Sequence, residues 1–290
     1  MIKNVKINNT KIGLESRCFI IAEIGNNHNG NFQLAIKLID EAINSGADAV
    51  KFQIKDVDTA FSEKLLESPY NNEHSFGLTY REHKKNLELS YDEYEKLKNY
   101  AENKKIIFFA TPFESTSLKF LQKINVPLYK VASFHNQNEK FIKEISETNK
   151  FIIISTGMSS QDEVDNTFNI TKKFTNNFSL LHCISSYPAD DKDVNLLVIK
   201  NYIEKYKGII GYSGHERGIN ICASSVLIGS KIIEKHFTLD RTMKGTDHAL
   251  SLEPVGFRFM VDRVRLLENA MGEPERKLLE CELAARKKNR

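Results

Sequence analysis

Cysteine is scarce in this sequence, and no long hydrophobic run occurs in it. The four cysteines among 290 residues (Cys18, Cys183, Cys222 and Cys281) are widely separated, and no two of them have CxxC spacing. Scattered thiols of this kind exclude a disulfide framework and a four-cysteine zinc site, and they favour a reduced, cytoplasmic protein. The longest apolar runs, such as residues 151–154, are far too short to cross a membrane.

The sequence predicts no signal peptide, and it has no strong excess of charge of one sign. Met1 is followed by Ile2, Lys3 and Asn4 with no apolar core, so secretion is not predicted. Lysine and arginine total 41 against 38 acidic residues, and a net charge of +3 is too weak to predict nucleic-acid binding. The hydrophobic fraction of 41% is normal for a globular protein and excludes general disorder. The weak net charge and the short apolar runs predict neither nucleic-acid nor membrane partners.

Eight short apolar runs alternate with amphipathic stretches along the chain. The runs are nearly continuous in hydrophobicity, as strands covered on both faces require. They occupy residues 19–24, 49–53, 106–110, 128–131, 151–155, 180–183, 209–212 and 232–236. The predicted helices occupy residues 32–45, 92–103, 115–124, 139–148, 160–174, 196–206, 219–229 and 256–270. Eight strands, each followed by a helix, predict an α/β protein with a single-domain (β/α)8 TIM barrel.

A doubly wound open sheet is the alternative fold. It usually has fewer strands and a glycine-rich first turn, whereas residues 25–30 read GNNHNG here. We divide the chain into an N-terminal hairpin (residues 1–18) that covers the lower mouth of the barrel, the barrel itself (19–270) and a charged tail (271–290). The long polar and aromatic insertion at residues 56–90 is predicted to be a lid or substrate loop.

Two lysines, Lys51 and Lys130, lie inside predicted strands. A lysine in a central strand needs an anion or a carboxylate to offset its desolvation. Hydroxyls at neighbouring strand ends would complete a cradle for a phosphate or carboxylate; they belong to Ser133, Ser155, Ser185 and Ser213. Pairing of the lysines with Glu23 or Glu234 is the structural alternative, and Schiff-base chemistry is also open to a buried lysine.

Two histidines, His215 and His236, end the seventh and eighth predicted strands, which are neighbours in a barrel. Imidazoles on adjacent strand ends can chelate a divalent metal whose other ligands are oxygens. A single histidine at a strand end is more often a hydrogen-bonded structural residue, and two ligands are a weak signature by themselves. His28, within residues 25–30, is equally compatible with a loop or capping role.

The residues at these strand ends resemble those of the N-acetylneuraminate (sialic acid) synthase family, which includes legionaminate and pseudaminate synthases. The opening block, residues 20–30 (IIAEIGNNHNG), is similar to the first strand of that family. The blocks that follow in the family's order are residues 50–53 (VKFQ), 110–113 (ATPF), 129–133 (YKVAS), 155–158 (STGM), 181–188 (LHCISSYP), 211–215 (GYSGH), 234–238 (EKHFT), 247 (D) and 251–254 (SLEP). The resemblance extends over residues 19–270 and includes every predicted strand.

This resemblance implies a (β/α)8 barrel that condenses phosphoenolpyruvate (PEP) with an aldose or N-acyl hexosamine. The products would be a sialic-acid-like 2-keto-3-deoxy sugar acid and phosphate, for surface-polysaccharide biosynthesis. It implies that Glu23, Lys51, His215 and His236 are catalytic, and that the two histidines bind Mn²⁺ or Mg²⁺, which activates the aldehyde. The residues expected to bind PEP are Lys51, Lys130, Ser133, Ser155, Ser185 and Ser213. The residues expected to face the acceptor sugar are Gln53, His135, Tyr187 and Asp247.

Two residues depart from the family pattern. His135 stands where the family has a glutamate that reaches toward the acceptor, and Ser185 stands where the sialate branch has an asparagine. The chain is also expected to lack the family's C-terminal antifreeze-like domain, which closes the acceptor site across a homodimer. We therefore expect an acceptor other than N-acetylmannosamine, or a less strict preference. A Schiff-base aldolase and a catalytically silent barrel that binds a phosphorylated metabolite are the alternative functions.

Overall fold

The N-terminal hairpin and a closed barrel account for all the strands in residues 1–289, which are the residues described by the computed structural model of the protein. The hairpin strands are β1 (Asn4–Ile7) and β2 (Thr10–Gly13). The barrel strands are β3 (Phe19–Gly25), β4 (Ala49–Ile54), β5 (Ile107–Pro112), β6 (Leu128–Val131), β7 (Phe151–Ser155), β8 (Phe178–Cys183), β9 (Ile210–Gly214) and β10 (Ile232–His236). All eight are parallel, and β10 pairs with β3 to close the barrel. The predicted (β/α)8 barrel is confirmed, and closure excludes the open sheet.

Helices follow the barrel strands on the outside, within one to three residues of the predicted bounds in most cases. The helices that alternate with the strands are α1 (Phe32–Asn44), α5 (Tyr91–Asn103), α6 (Ser115–Lys123), α7 (Glu139–Ser146), α8 (Gln161–Phe174), α9 (Leu197–Tyr206), α10 (Asn220–Ser224) and α11 (Pro254–Met271). The prediction of one helix over residues 219–229 differs from the structure. There α10 passes into a 3₁₀ turn, Ser225–Ile228, which ends at Gly229 with φ of +107°. A 3₁₀ turn is a common way for a short helix to end.

The insertion after β4 is folded into three short helices, α2 (Val57–Ala60), α3 (Glu63–Leu66) and α4 (Tyr80–Asn86). Arg81 joins them, because its guanidinium pairs with Asp58, with Glu63 at 2.6 Å and with Glu67 at 3.1 Å. Several ion pairs on one planar guanidinium hold the segment together more firmly than isolated surface pairs would. The last helix, α12 (Leu283–Asn289), lies in the charged tail. None of the helices in residues 1–289 is both long and apolar enough to span a membrane.

Two apolar layers hold the barrel together. One lies between the strands and the helices, with residues such as Ile20, Ala22 and Leu38. The other fills the barrel interior and includes Ile7 and Ile12 of the hairpin, so the hairpin packs against the interior layer as predicted. A barrel interior filled by side chains is a packed core rather than a pore.

Strand alternation places polar residues above this interior layer. In β3, Phe19 and Ile21 belong to the interior layer, and Glu23 follows at the same two-residue spacing. In β4 the same spacing leads from Ala49 to Lys51. Successive side chains of a strand point to opposite faces, so every second residue beyond the apolar layer faces the interior. The strand pattern therefore gathers polar side chains at the carboxyl ends of the barrel strands, where active sites of such barrels lie.

Candidate active site

A cavity of about 670 Å³ opens at the carboxyl ends of the barrel strands. Its volume is in the range of small-molecule sites. Of the predicted site residues, it is lined by Glu23, Lys51, Gln53, Lys130, Ser133, Ser155, Ser185, Tyr187, Ser213, His215, His236 and Asp247. The structure thus brings together all but one of the residues predicted to act in catalysis, metal binding or substrate binding.

Two lysines and two glutamates form a buried charged centre at the bottom of this cavity. Lys51 Nζ lies 2.8 Å from Glu23 Oε2 and 3.6 Å from Glu234 Oε1, and Lys130 Nζ lies 3.6 Å from the same Glu234 oxygen. Each of the four residues is at most 5% exposed. The carboxylates offset the desolvation of the lysines, so the structural alternative considered for Lys51 and Lys130 holds in the free protein. The four formal charges sum to zero.

Hydroxyl groups surround the two lysine amines. Lys51 Nζ donates to Thr111 Oγ1 at 3.0 Å, and Lys130 Nζ donates to Ser155 Oγ at 2.5 Å. Ser213 Oγ donates to Glu234 Oε1 at 3.2 Å. These contacts form a ring of neutral donors around two ammonium groups, which is the donor set that a phosphate or carboxylate requires.

Gly157 lets two further hydroxyls converge on the cavity. Its backbone N–H donates to Ser133 Oγ at 3.0 Å. A Cβ at this position would collide with Ser185 Oγ and would lie 2.9 Å from Ser133 Oγ. The glycine in the STGM block is therefore required by close approach, because any side chain there would displace both serines.

The electrostatics of the charged centre differ between its two lysines. Burial lowers the pKa of Lys51, but Glu23 and Glu234 outweigh burial, and the net shift is upward. For Lys130 burial prevails over the attraction of Glu234, so its pKa is lowered. The pKa of Glu234 is held well below its ordinary range, because Lys130 and Lys51 outweigh its burial. The centre is thus a set of mutually compensated charges.

The two predicted metal ligands lie side by side, with ring centroids 5.5 Å apart. His215 Nδ1 lies 2.6 Å from the carbonyl oxygen of Ile184. A carbonyl only accepts, so Nδ1 carries the proton and Nε2 keeps a lone pair. Burial and the neighbouring His236 lower the pKa of His215 to about 3, which keeps the ring neutral. A neutral imidazole with a fixed tautomer is the form that binds metals.

His236 contributes a second unengaged nitrogen. Its Nδ1 is buried without a hydrogen-bond partner in the described chain, and Asp247 Oδ2 lies 3.9 Å away. No group of three or more His, Cys, Asp or Glu side chains within residues 1–289 is arranged around a metal position. The pair therefore fits a divalent cation in donor chemistry, provided that substrate or water oxygens supply the remaining ligands.

The predicted acceptor residues lie on the outer side of the charged centre. Gln53 Nε2 donates to Glu23 Oε1 at 2.9 Å, which orients that carboxylate. The ring of Tyr187 packs on His215 with centroids 4.2 Å apart. Asp247 lies beside His236, as described above. A substrate placed at the two imidazoles would therefore contact both an aromatic face and a carboxylate.

Comparison with known proteins identifies the family of this site. A sequence model described as the NeuB family matches residues 38–276. The chain belongs to the NeuB family. It is 43% identical over 278 residues to human N-acetylneuraminate-9-phosphate synthase, covering 96% of this chain and 77% of the relative. It is 37% identical over 275 residues to N,N'-diacetyllegionaminic acid synthase of Campylobacter jejuni, covering 92% and 81%.

A solved structure agrees with this assignment. The N-acetylneuraminic acid (sialic acid) synthetase of Leptospira borgpetersenii, in complex with citrate, superposes on this NeuB-family chain with a TM-score of 0.87. The two sequences are 34% identical, and the alignment covers 99% of this chain and 96% of the other. Fold and family therefore agree over the whole barrel.

The placement of His135 in this NeuB-family chain corrects one sequence prediction. His135 does not line the cavity; its neighbour Phe134 does. A 3₁₀ turn, Ser133–His135, turns the imidazole outward, where Nε2 hydrogen-bonds to the carbonyl of Phe113 at 3.0 Å. The ring stacks on Phe141 with centroids 4.0 Å apart and lines a separate, smaller pocket. An imidazole held in this way does not reach an acceptor in the main cavity.

Other polar residues near the strand ends also face away from the cavity. His28 is fully buried between Phe52 and Tyr94, with ring centroids at 5.9 and 6.3 Å. His182 Nε2 hydrogen-bonds to the carbonyl oxygen of Val194 at 2.6 Å. Asn27 donates to the carbonyl oxygen of Phe237 at 2.9 Å. These side chains are structural: His28 is a buried loop residue whose Nδ1 accepts from the backbone N–H of Gly30 at 3.2 Å, and it does not line the cavity.

Two residues that line the cavity were not predicted from the sequence, because they belong to the insertion after β4. His74 and Lys84 line the outer part of the cavity together with Thr246. Neither lies in a barrel strand, so the alternation that locates the other site residues gives no signal for them. The sequence did predict that residues 56–90 form a lid or substrate loop. It did not predict which residues of that segment line the cavity.

Proposed function

We propose that this NeuB-family protein condenses phosphoenolpyruvate with an aldose or N-acyl hexosamine, giving a 2-keto-3-deoxy sugar acid and inorganic phosphate. The observation that carries the proposal is one cavity with two buried lysines and a ring of hydroxyls beside a pair of neutral imidazoles. The first group suits an anionic phosphate ester, and the second suits a cation that polarises a carbonyl. Family membership supports the same reaction, because the human and C. jejuni relatives are named as synthases of such acids.

Lys51, Lys130 and the surrounding serines would hold the phosphate and carboxylate of PEP. The lysines are already desolvated, so they bind an anion more strongly than surface lysines do. The hydroxyls of Ser133, Ser155 and Ser213 would donate to its oxygens. Since the charged centre is neutral overall, Glu23 and Glu234 limit the affinity for PEP and keep the lysines charged before it binds.

His215 and His236 would hold Mn²⁺ or Mg²⁺, which when bound acts as a Lewis acid on the open-chain sugar aldehyde. Tyr187 and Asp247 would position that sugar over the PEP site. With the two substrates in contact, C3 of PEP attacks the aldehyde carbon and forms the new carbon–carbon bond. Positioning of this kind accounts for a large part of the rate in two-substrate reactions.

Glu23 would act on the water that completes the reaction. Attack of C3 leaves a cationic C2, water adds there, and the carbon–oxygen bond to phosphate breaks to give the 2-keto acid. Glu23 Oε1 accepts from Gln53 and Oε2 lies 2.8 Å from Lys51, so the carboxylate is held in one orientation, from which it would take a proton from the water. Lys51 and Lys130 stabilise the departing phosphate.

The test is phosphate release from PEP with Mn²⁺, measured against a panel of aldoses, N-acyl hexosamines and their phosphate esters. We expect release that depends on an acceptor and is abolished by chelator and by Lys51→Met. Trapping with borohydride in the presence of a keto acid should give no covalent adduct. Acceptor-independent binding of PEP without turnover, or an inactivating adduct at Lys51 or Lys130, would refute the proposal in favour of the silent barrel or the aldolase.

The names of the relatives differ in whether the product carries a phosphate. The name of the human relative specifies a 9-phosphate, and that of the C. jejuni relative does not. The PEP site contains no residue that would distinguish the two products, so the choice must depend on residues at the acceptor end of the cavity.

A further inference from the structure

We propose that His74 and Lys84 form a second anion subsite, which binds a phosphate monoester at the far end of the acceptor sugar. This inference rests on the proposed condensation and specifies its acceptor class as a phosphorylated aldose. The subsite lies in the same cavity as the PEP site, but it is built by the insertion rather than by the barrel strands.

Lys84 is a cation that the protein leaves without a carboxylate partner. It lines the cavity from α4, is partly buried, and forms no ion pair within the described chain. Its amine lies over the ring of Tyr80 at 5.1 Å from the centroid. The next residue, Lys85, is exposed and pairs with Asp58 at 2.8 Å. Of two adjacent lysines, the one that faces the cavity is the one without a counter-charge.

The side chain of Lys84 is positively charged, and the nearby carboxylates offset that charge only in part. Burial and the nearby charge of Lys55 lower its pKa to about 8, while Asp247 and Glu88 act in the opposite direction. Lys55 itself is engaged with Glu88 at 3.1 Å and Asn26 at 3.0 Å, so it is not available to a ligand. A doubly charged phosphate near Lys84 would relieve this imbalance, because an opposite charge stabilises the protonated amine.

The position of Lys84 fits the distal end of the acceptor. Lys84 and Asp247 line the same cavity, and Asp247 Oδ2 lies 3.9 Å from His236 Nδ1. A sugar whose aldehyde lies at the imidazoles must extend its terminal hydroxymethyl group away from the charged centre, toward the cavity mouth. His74 and Thr246 also line the cavity. Thr246 Oγ1 donates to Asp247 Oδ1 at 2.9 Å, and His74 Nε2 lies 3.5 Å from Glu73 Oε1, so Lys84 supplies the cation that has no carboxylate within ion-pair distance in the described chain.

Charge balance gives an independent reason for a second cationic site. The two lysines and two glutamates at the bottom of the cavity sum to zero, so bound PEP leaves the centre negative. A second phosphate could not share those lysines without strong repulsion, and it needs a cation of its own. Lys84 is the lysine among residues 1–289 that lines the cavity outside the charged centre.

The experiment compares N-acetylmannosamine with its 6-phosphate as acceptors, using phosphate release from PEP and Mn²⁺ as the readout. The wild-type protein should prefer the phosphorylated sugar in kcat/KM by at least about tenfold, which is the size expected from one charge-assisted contact. Lys84→Met should reduce this preference at least about tenfold, mainly through KM for the phosphorylated sugar. Lys84→Arg should retain most of it, and Lys85→Met should keep the wild-type ratio.

The outcomes separate this inference from the proposed function. Equal use of both sugars by the wild-type protein, or an unchanged preference in Lys84→Met, refutes the subsite while the condensation stands. An equal loss with both sugars would assign Lys84 to general positioning and also refutes it. If neither these sugars nor any other acceptor supports phosphate release, the proposed function itself fails.

Discussion

Glu23 Oε2 lies 2.8 Å from Lys51 Nζ, and both side chains are almost completely buried. The two residues are opposite each other in the β3–β4 register, so the strand pairing itself positions the ion pair. Removing one member of such a pair leaves an uncompensated charge in a site of low polarity.

Lys51→Met should therefore weaken PEP binding at least about 100-fold, since it removes a buried cation that contacts the ligand and leaves Glu23 to repel it. A calorimetric titration with PEP alone checks this prediction. Lys51→Met/Glu23→Gln should recover stability without recovering PEP affinity. Equal affinity of wild type and Lys51→Met would remove this lysine from the site.

His215→Ala should lose Mn²⁺ binding in the absence of substrates, as measured by electron paramagnetic resonance of the free ion. The reason is that the neutral Nε2 lone pair of His215 is one of two imidazole donors at the predicted metal position. Turnover stimulated by manganese should disappear as well. His135→Ala serves as the control, because its ring lies outside the cavity. Unchanged ion binding in His215→Ala would show that the metal assignment is wrong.

His135→Gln should leave the preference among acceptors within about threefold of wild type, because side chains that do not touch the substrate seldom change specificity. Glutamine can still hydrogen-bond to the carbonyl oxygen of Phe113, so the turn should persist. Phe134→Ala should alter acceptor KM, since Phe134 lines the cavity. The measurement is kcat/KM on two acceptors for each variant. A change of acceptor preference in His135→Gln, with Phe134→Ala unaffected, would contradict the observed orientation.

Lys235 and Glu216 form a fully buried ion pair beside His215 and His236, the predicted metal ligands, with 3.1 Å between Nζ and Oε1. Tyr212 also donates to Glu216 at 2.7 Å. Lys235→Met should lower the free energy of unfolding by about 3–5 kcal/mol, because Glu216 would be left charged and unpaired. Urea denaturation measures the effect. Lys235→Met/Glu216→Gln should be more stable than Lys235→Met; if it is not, the loss comes from packing rather than from charge.

Strand periodicity explains how much of this site the sequence could predict. Glu23, Lys51 and Lys130 follow apolar interior residues at two-residue spacing, so their inward orientation follows from the strand pattern alone. The orientation of His135 does not, because it depends on the 3₁₀ turn that follows β6. Outside the cavity, the imidazole of His135 hydrogen-bonds to the carbonyl oxygen of Phe113 and stacks on the ring of Phe141.

The residues that the insertion contributes to the cavity could not be predicted from the sequence, for a different reason. Lys84 reaches the cavity because α4 is joined to α2 and α3 through Arg81, which is a tertiary arrangement without periodic signal. Strand alternation in β10 places Lys235 on the same side as Ile233, away from the cavity, but it does not reveal what offsets the buried charge there. Its partner, Glu216, lies 19 residues earlier and becomes its neighbour only when β9 and β10 pair.

The most direct test of the proposed condensation follows the bridging oxygen of PEP. The protein is incubated with Mn²⁺, an acceptor sugar and PEP that carries ¹⁸O between C2 and phosphorus, and both products are analysed by mass spectrometry. Breakage of the carbon–oxygen bond predicts one phosphate per sugar acid, with the label in the phosphate. Retention of the label in the keto acid or in pyruvate, or unchanged PEP with every acceptor, would contradict the account.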